Sequence, residues 1–415
     1  MESQGTFLQG AVKSLKTLVV GGSQVVEGVH SAVLNQVAAL APVPAPVSMI
    51  TRLVYRSIRE IAALAGSSAE AILTLNPQQD APGRLEPWQL HLVSAFNGAF
   101  GDHFEREGHP WTISMGFYRK GQPLSLNAQE LTAALEAPSP HLVLFLHGLG
   151  MNELGWSRTQ EPSFGARLEA EADCTSLWLR YNTGRHIYEN GQELARLLEA
   201  LVESYPVAVQ SLTLVGHSMG GLVSRSAAYY AKRAQYQWTR HLCGICTLGS
   251  PHQGAHLEHI GNWFSHLLTT TPYSLPLSQI GRLRSVGIKD LRHGSLIEED
   301  WHGRDRDSVL SFVPQPVPLL PEVRYLLVAS TLGQATRGAA SKVLGDGLVS
   351  PGSALKPRTG TDQELPGQVT RAVLQGVGHI ELLNRAEVYQ QLLPWYLYQV
   401  RGQAQPALPS LAEPG

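Results

Sequence analysis

The chain has little cysteine. Its 415 residues hold three, Cys174, Cys243 and Cys246. An odd and sparse set excludes a disulfide framework and fits a reducing compartment. Cys243-Gly-Ile-Cys246 has C-x-x-C spacing. It lacks a second pair and lies in an apolar run of strand type, so it reads as buried core rather than a redox or zinc site. No metal and no organic cofactor are expected. Excess charge is also lacking: a net charge of −2 gives no footprint for a nucleic-acid partner. No stretch stays apolar for the roughly 18 residues that a membrane span requires, and no internal repeat is visible. A secretory signal is not legible either. Glu2 precedes any basic residue, and Lys13 and Lys16 interrupt the one apolar stretch near the start. The expectation is a cytoplasmic protein.

What is present is a globular composition, 43% hydrophobic and 16% charged, long enough for one large domain with additions or for two domains. Residues 1–75 read as a helical N-terminal extension. Ile50, Leu53, Val54, Ile58, Ile61 and Leu64 form a stripe opposite Arg52, Arg56 and Arg59. Each large apolar side chain gains about 1.5–3 kcal/mol on burial, whereas a basic residue at an anionic lipid surface gains about 1 kcal/mol. The stripe is therefore expected to pack on the main domain or on a second copy, with peripheral membrane contact as the weaker alternative. The main domain is expected over 76–401. Residues 402–415, rich in Pro, Ala and Gln, read as a disordered tail.

Within the main domain strands and helices alternate. A helix near Trp88–Phe104, a hairpin around Lys120-Gly121 and a helix over Ala128–Ala137 come first. Strands follow at His141–Leu146, Ser176–Tyr181, Leu212–Val215, Leu242–Leu248, Val323–Ala329 and Thr370–Leu374. Helices lie at Asn190–Ser204, Gly221–Gln235 and Glu387–Val400. Such alternation predicts an α/β fold with a mostly parallel sheet covered on both faces. Residues 252–322 break the rhythm and read as a cap insertion, either a lid over the site or an ordinary connecting subdomain.

The chemistry centres on Gly216-His-Ser218-Met-Gly220, the G-x-S-x-G elbow, placed between an apolar strand and a helix. A serine at the tip of a strained turn needs small neighbours. The helix start beneath it supplies N–H groups and partial positive charge for an oxyanion. The serine needs a base, and in this architecture the order is Ser, acid, His. His379 follows the last strand. Asp346, between Gly345 and Gly347, follows the strand before it. Asp362 and Glu381 are rival acids; Asp290 precedes the last strands and breaks the order. For the oxyanion hole the candidates are the N–H of Met219 and that of Leu149 in His147-Gly148-Leu149-Gly150.

LFLHGLG, GHSMGGLVSRSA, LGSPHQGA and GDGLVS followed by GHIELL resemble the lipase branch of the α/β-hydrolases. The similarity runs over about residues 140–400 and is nearest to bacterial triacylglycerol lipases and GPI inositol-deacylase-like esterases. It implies an α/β-hydrolase fold, a Ser218–Asp346–His379 triad, and Gly249 and Pro251 beside the site. The stretches Arg180–Gly191 and Asp290–Ser295 look like those of a bacterial subgroup with a similar helical N-terminus. The expected activity is hydrolysis of a small-molecule or lipid ester through an acyl-enzyme. Acyl transfer or thioester hydrolysis on the same triad is one alternative. A binding module built on the same fold is another, disfavoured by three intact triad positions.

Overall fold

The structure is a computed structural model that describes residues 85–157, 162–255, 285–304, 312–333, 345–360 and 367–403. The expected N-terminal helices, about half of the expected cap, the rival acid Asp362 and nearly all of the tail lie outside these residues.

The first described helix, α1 (Pro87–Arg106), starts with proline in its first turn, where a missing N–H costs nothing. The hairpin forms as expected. β1 (Gly116–Arg119) and β2 (Gln122–Pro123) are joined through Lys120 and Gly121, both at positive φ. The next helix, α2 (Ala128–Ala134), ends three residues before the expected Ala137. Pro138 and Pro140 follow and disfavour helix in the residues before them.

The remaining elements alternate. They run β3 (His141–Leu146), α3 (Phe164–Ala172), β4 (Thr175–Arg180), α4 (Ile187–Ser204), β5 (Ser211–His217), α5 (Met219–Ala234), β6 (Leu242–Leu248), α6 (Val286–His293), β7 (Arg324–Thr331), α7 (Pro351–Leu355), β8 (Val369–Gln375) and α8 (Ala386–Pro394). α3 was not expected from sequence. Only Phe164, Leu168 and Ala172 mark its apolar side, and Ser163 caps it by accepting from the Ala166 N–H. α4 starts three residues before the expected Asn190, because His186 and Glu189 form a reciprocal cap. The closing helix was expected to run to Val400. It is α-helical to Pro394, a residue that breaks the regular ladder, and continues as a wider π turn.

Among the described residues the strands form one sheet in the order β2-β1-β4-β3-β5-β6-β7-β8. β1 pairs antiparallel with β2 and β4, and every later pairing is parallel. Side chains alternate between two apolar layers, as a period of two requires. Leu142, Leu144, Leu212 and Leu214 face the layer built with α4 and α5. Val143, Phe145, Val215 and Leu248 face the layer built with α3 and α8. Both faces are therefore dry, which accounts for strands that read as unbroken apolar runs.

Two topological facts place the site. β3 lies between β4 and β5, so the chain leaves it toward opposite sides and opens a crevice at the carboxyl ends of the strands. Register then levels those ends: Leu146 pairs with Gly216, and His217 with Leu248.

Candidate active site

Among the described residues the elbow is where the backbone is most strained. Ser218 sits at φ 53, ψ −119, outside the regions open to an ordinary L-residue, and caps the start of α5. Its N–H donates to the Leu248 carbonyl at 2.8 Å, and its own carbonyl accepts from the Gly221 N–H at 3.2 Å. The flanking glycines are steric necessities. A side-chain carbon on Gly216 would strike the Gly220 and Gly221 backbone, and one on Gly220 would strike the Leu146 carbonyl. Ser218 itself is 3% exposed. Its sixteen-residue helix points its amino end at this position, with Met219 as the first helical residue, whose N–H has no acceptor within the helix.

The residues expected to assist the serine come from the far side of the sheet. His379 follows β8, and its Nδ1 lies 2.7 Å from Asp346 Oδ2. The other carboxylate oxygen, Oδ1, accepts from the Leu348 and Val349 N–H groups at 2.9 and 2.8 Å. The His379 N–H donates to the Asp346 carbonyl at 3.1 Å, so the two loops are also stitched through backbone. A carboxylate facing Nδ1 places the ring proton there and makes Nε2 the acceptor nitrogen of the ring. The rival acids fare differently. Glu381 accepts from the Gly378 N–H at 2.8 Å and pairs with Arg385, with its side chain half exposed. Asp290 binds His186.

Three further residues bring the serine and the histidine loops together, and sequence reasoning passed over one of them. His217, directly before the serine, lies against the His379 ring with centroids 4.7 Å apart. Its Nε2 lies 2.9 Å from the His379 carbonyl and donates to it. Gly249 admits the Asp346–His379 pair: a methyl there would stand 3.1 Å from Asp346 Oδ2 and 3.2 Å from His379 Cε1. Gly148 does the same for the elbow, 2.9 Å from His217 Nδ1 and 3.1 Å from Ser218 Cβ by that measure. Leu149, the expected second oxyanion donor, follows Gly148 and is buried. The signal for His217 was present in the sequence, inside the five-residue elbow, but a histidine of fixed structure looks the same as any other there.

Buried charges around this centre are disposed to be neutral or paired. Burial pushes His147 down to about 4, so its ring is neutral at ordinary pH. His252, with Arg225 against it, is driven well below the usual histidine range by burial and then by that cation. Burial likewise raises Cys246 above the usual thiol range, and all three cysteines are free. Among the described residues no three His, Cys, Asp or Glu side chains gather to hold a metal ion. None of the described helices is long and apolar enough to cross a membrane.

Residues 139–312 match the family described as "PGAP1-like alpha/beta domain". No curated protein matches the chain. Similar solved structures include a lipase of Bacillus licheniformis in its mature form. It is 16% identical with a TM-score of 0.37, and the match covers 69% of this chain and 96% of that one. A type II thioesterase of the yersiniabactin pathway is 16% identical with a TM-score of 0.37, covering 64% and 96%. An esterase of Pyrococcus furiosus is 13% identical with a TM-score of 0.38, covering 63% and 83%. The parallel sheet, its strand order and the strained elbow on β5 give the chain an α/β-hydrolase fold, within which residues 139–312 are similar to the PGAP1-like alpha/beta domain.

Proposed function

We propose that the protein is a serine ester hydrolase. One observation carries the reading: a buried Asp346–His379 pair, joined at 2.7 Å, set beside a strained serine at a helix start through the His217 contacts. The substrate is an ester of a small molecule or lipid, and the side chains of the triad and two backbone N–H groups carry the chemistry. His379 Nε2 takes the proton of the Ser218 hydroxyl as its oxygen attacks the acyl carbonyl. The oxyanion that forms accepts from the Leu149 and Met219 N–H groups. Asp346 holds the imidazole in the right tautomer and stabilises it while charged. Collapse expels the alkoxide, which leaves as alcohol with the proton from His379. Water, deprotonated by the same nitrogen, then attacks the acyl-enzyme; collapse breaks the bond to Ser218 Oγ, which takes the proton back from His379 as the acid leaves.

The test is a fluorophosphonate probe together with p-nitrophenyl esters of rising chain length. Labelling at Ser218, with turnover of at least the short esters, is the expected result. Labelling that persists unchanged in Ser218→Ala would remove the serine from its role. Turnover of thioesters in preference to every oxygen ester would move the activity to the thioesterase alternative.

A further inference from the structure

The sequence stretch Arg180–Gly191 has no part in the mechanism above, yet its first residues touch the oxyanion loop at both ends. We propose that Tyr181 and Thr183 are positioning residues: they clamp the His147–Gly150 loop at two points and aim the Leu149 N–H at the reacting oxygen. This rests on the ester-hydrolase reading.

The geometry is specific. The Tyr181 hydroxyl donates to the His147 carbonyl at 2.7 Å. Its ring stacks on the His147 ring, with centroids 4.4 Å apart and planes 22° from parallel. At the other end the Gly150 N–H donates to Thr183 Oγ1 at 3.0 Å. The Met151 N–H closes the turn on the Gly148 carbonyl at 3.2 Å. Among the described residues the loop thus spends the N–H groups of Gly150 and Met151 on itself and its clamp, and that of Leu149 is not one of them. Gly150 takes φ 69, the left-handed turn that lets the chain fold back after Leu149.

The clamp is itself rigid. Tyr181 and Thr183 are fully buried, and burial keeps the phenol protonated and therefore a donor. Asn182, between them, donates to the Gly101 carbonyl of α1 at 2.9 Å. The Gly287 N–H of α6 donates to the Gly184 carbonyl at 3.1 Å. The oxyanion loop is therefore indexed to the body of the protein through β4 and not only through β3, from which it grows. A donor displaced by about 1 Å loses on the order of 10²-fold in rate, so two such pins are expected to matter in proportion.

The experiment uses the full chain with Tyr181→Phe, Thr183→Val, their double variant and Thr183→Ser. Each removes or keeps one hydroxyl with little change of shape. Four quantities are read: kcat and KM for a short p-nitrophenyl ester, the inhibition constant of a trifluoromethyl ketone, which adds reversibly to serine and presents an oxyanion, and the melting temperature. Each single variant is expected to lose about 10-fold in kcat and the double variant about 10²-fold, with KM within about 2-fold. The ketone should weaken by the same factors as kcat/KM, and Thr183→Ser should restore wild-type values. If an active wild type gives variants that only melt earlier, with kcat and ketone affinity unchanged, the clamp is overturned and the hydrolase reading stands. If the wild type neither labels at Ser218 nor turns over any ester, both are overturned together.

Discussion

Among the described residues two buried histidine–aspartate pairs stand out, and they are built differently. In one, His379 Nδ1 meets Asp346 Oδ2 at 2.7 Å. In the other, His186 Nδ1 meets Asp290 Oδ2 at 3.1 Å, with both side chains about 1% exposed. By residue type and burial they are near equivalents. The difference is in what else the carboxylate holds. Asp346 spends one oxygen on its own loop, through the Leu348 and Val349 N–H groups, and gives the other to the imidazole. Asp290 accepts from the Ile187 N–H at 2.6 Å and from the Trp301 indole at 2.6 Å as well as from His186. It joins α6 and the turn around Trp301 to the start of α4. The His186 ring is packed between Tyr188 and Trp301. In one pair the carboxylate is anchored to its own loop and the imidazole lies against His217 of the elbow; in the other the carboxylate takes two further donors and the imidazole is enclosed. Under the proposed function a buried Asp–His pair is a tie or a tool according to its remaining neighbours, and its own distance does not decide.

The sharpest way to break this contrast is at the elbow. Ser218→Ala should lower kcat by about 10⁶-fold by analogy with other serine triads, with circular dichroism and melting temperature near wild type. Asp346→Asn should keep the fold and lower kcat by about 10⁴-fold, because the asparagine amide favours the wrong tautomer of His379; Glu381→Gln should be close to neutral. The mirror experiment is Asp290→Ala. It leaves the His186, Ile187 and Trp301 donors buried without an acceptor. It should cost about 3–5 kcal/mol in urea unfolding while kcat per folded molecule changes by no more than about 2-fold. If Asp290→Ala instead abolished turnover in protein that melts normally, the assignment of tool and tie would be reversed.

A smaller effect concerns pH. His147 falls from 6.5 to about 4 on folding because it is fully buried. Between those values the unfolded chain binds a proton that the folded chain refuses, so stability rises with pH through this window and is lost as pH falls from about 6.5 toward 4. The contribution is on the order of 3 kcal/mol. His147→Phe, which keeps a ring against Tyr181, should remove part of that slope in urea midpoints measured from pH 4 to 7. An unchanged slope would mean that this histidine does not titrate as its burial implies.

Much of this was legible along the chain. The elbow, Asp346, His379 and the glycine-bearing loop at Gly148 are local patterns, because strand-to-helix turns and apolar runs are written over a few residues. The same locality gave the hairpin at Lys120-Gly121 and the order of the strands along the chain. The misses were local signals too weak to stand out. α3 has few apolar residues, and the true start of α4 depends on a reciprocal cap between His186 and Glu189.

Sequence alone determined which residue types were available and in what order: a serine between glycines after β5, an acid after β7, then a histidine after β8. Only the tertiary structure decided which acid faces which histidine. Asp346 and His379 are 33 positions apart, and Asp290 and His186 are 104 apart. The sheet, through the β3–β5 and β7–β8 registers, brings the first pair to the elbow. The packing of α6 on the start of α4 encloses the second. Contacts at such separations are set by layer packing and strand register, which no short stretch of sequence encodes.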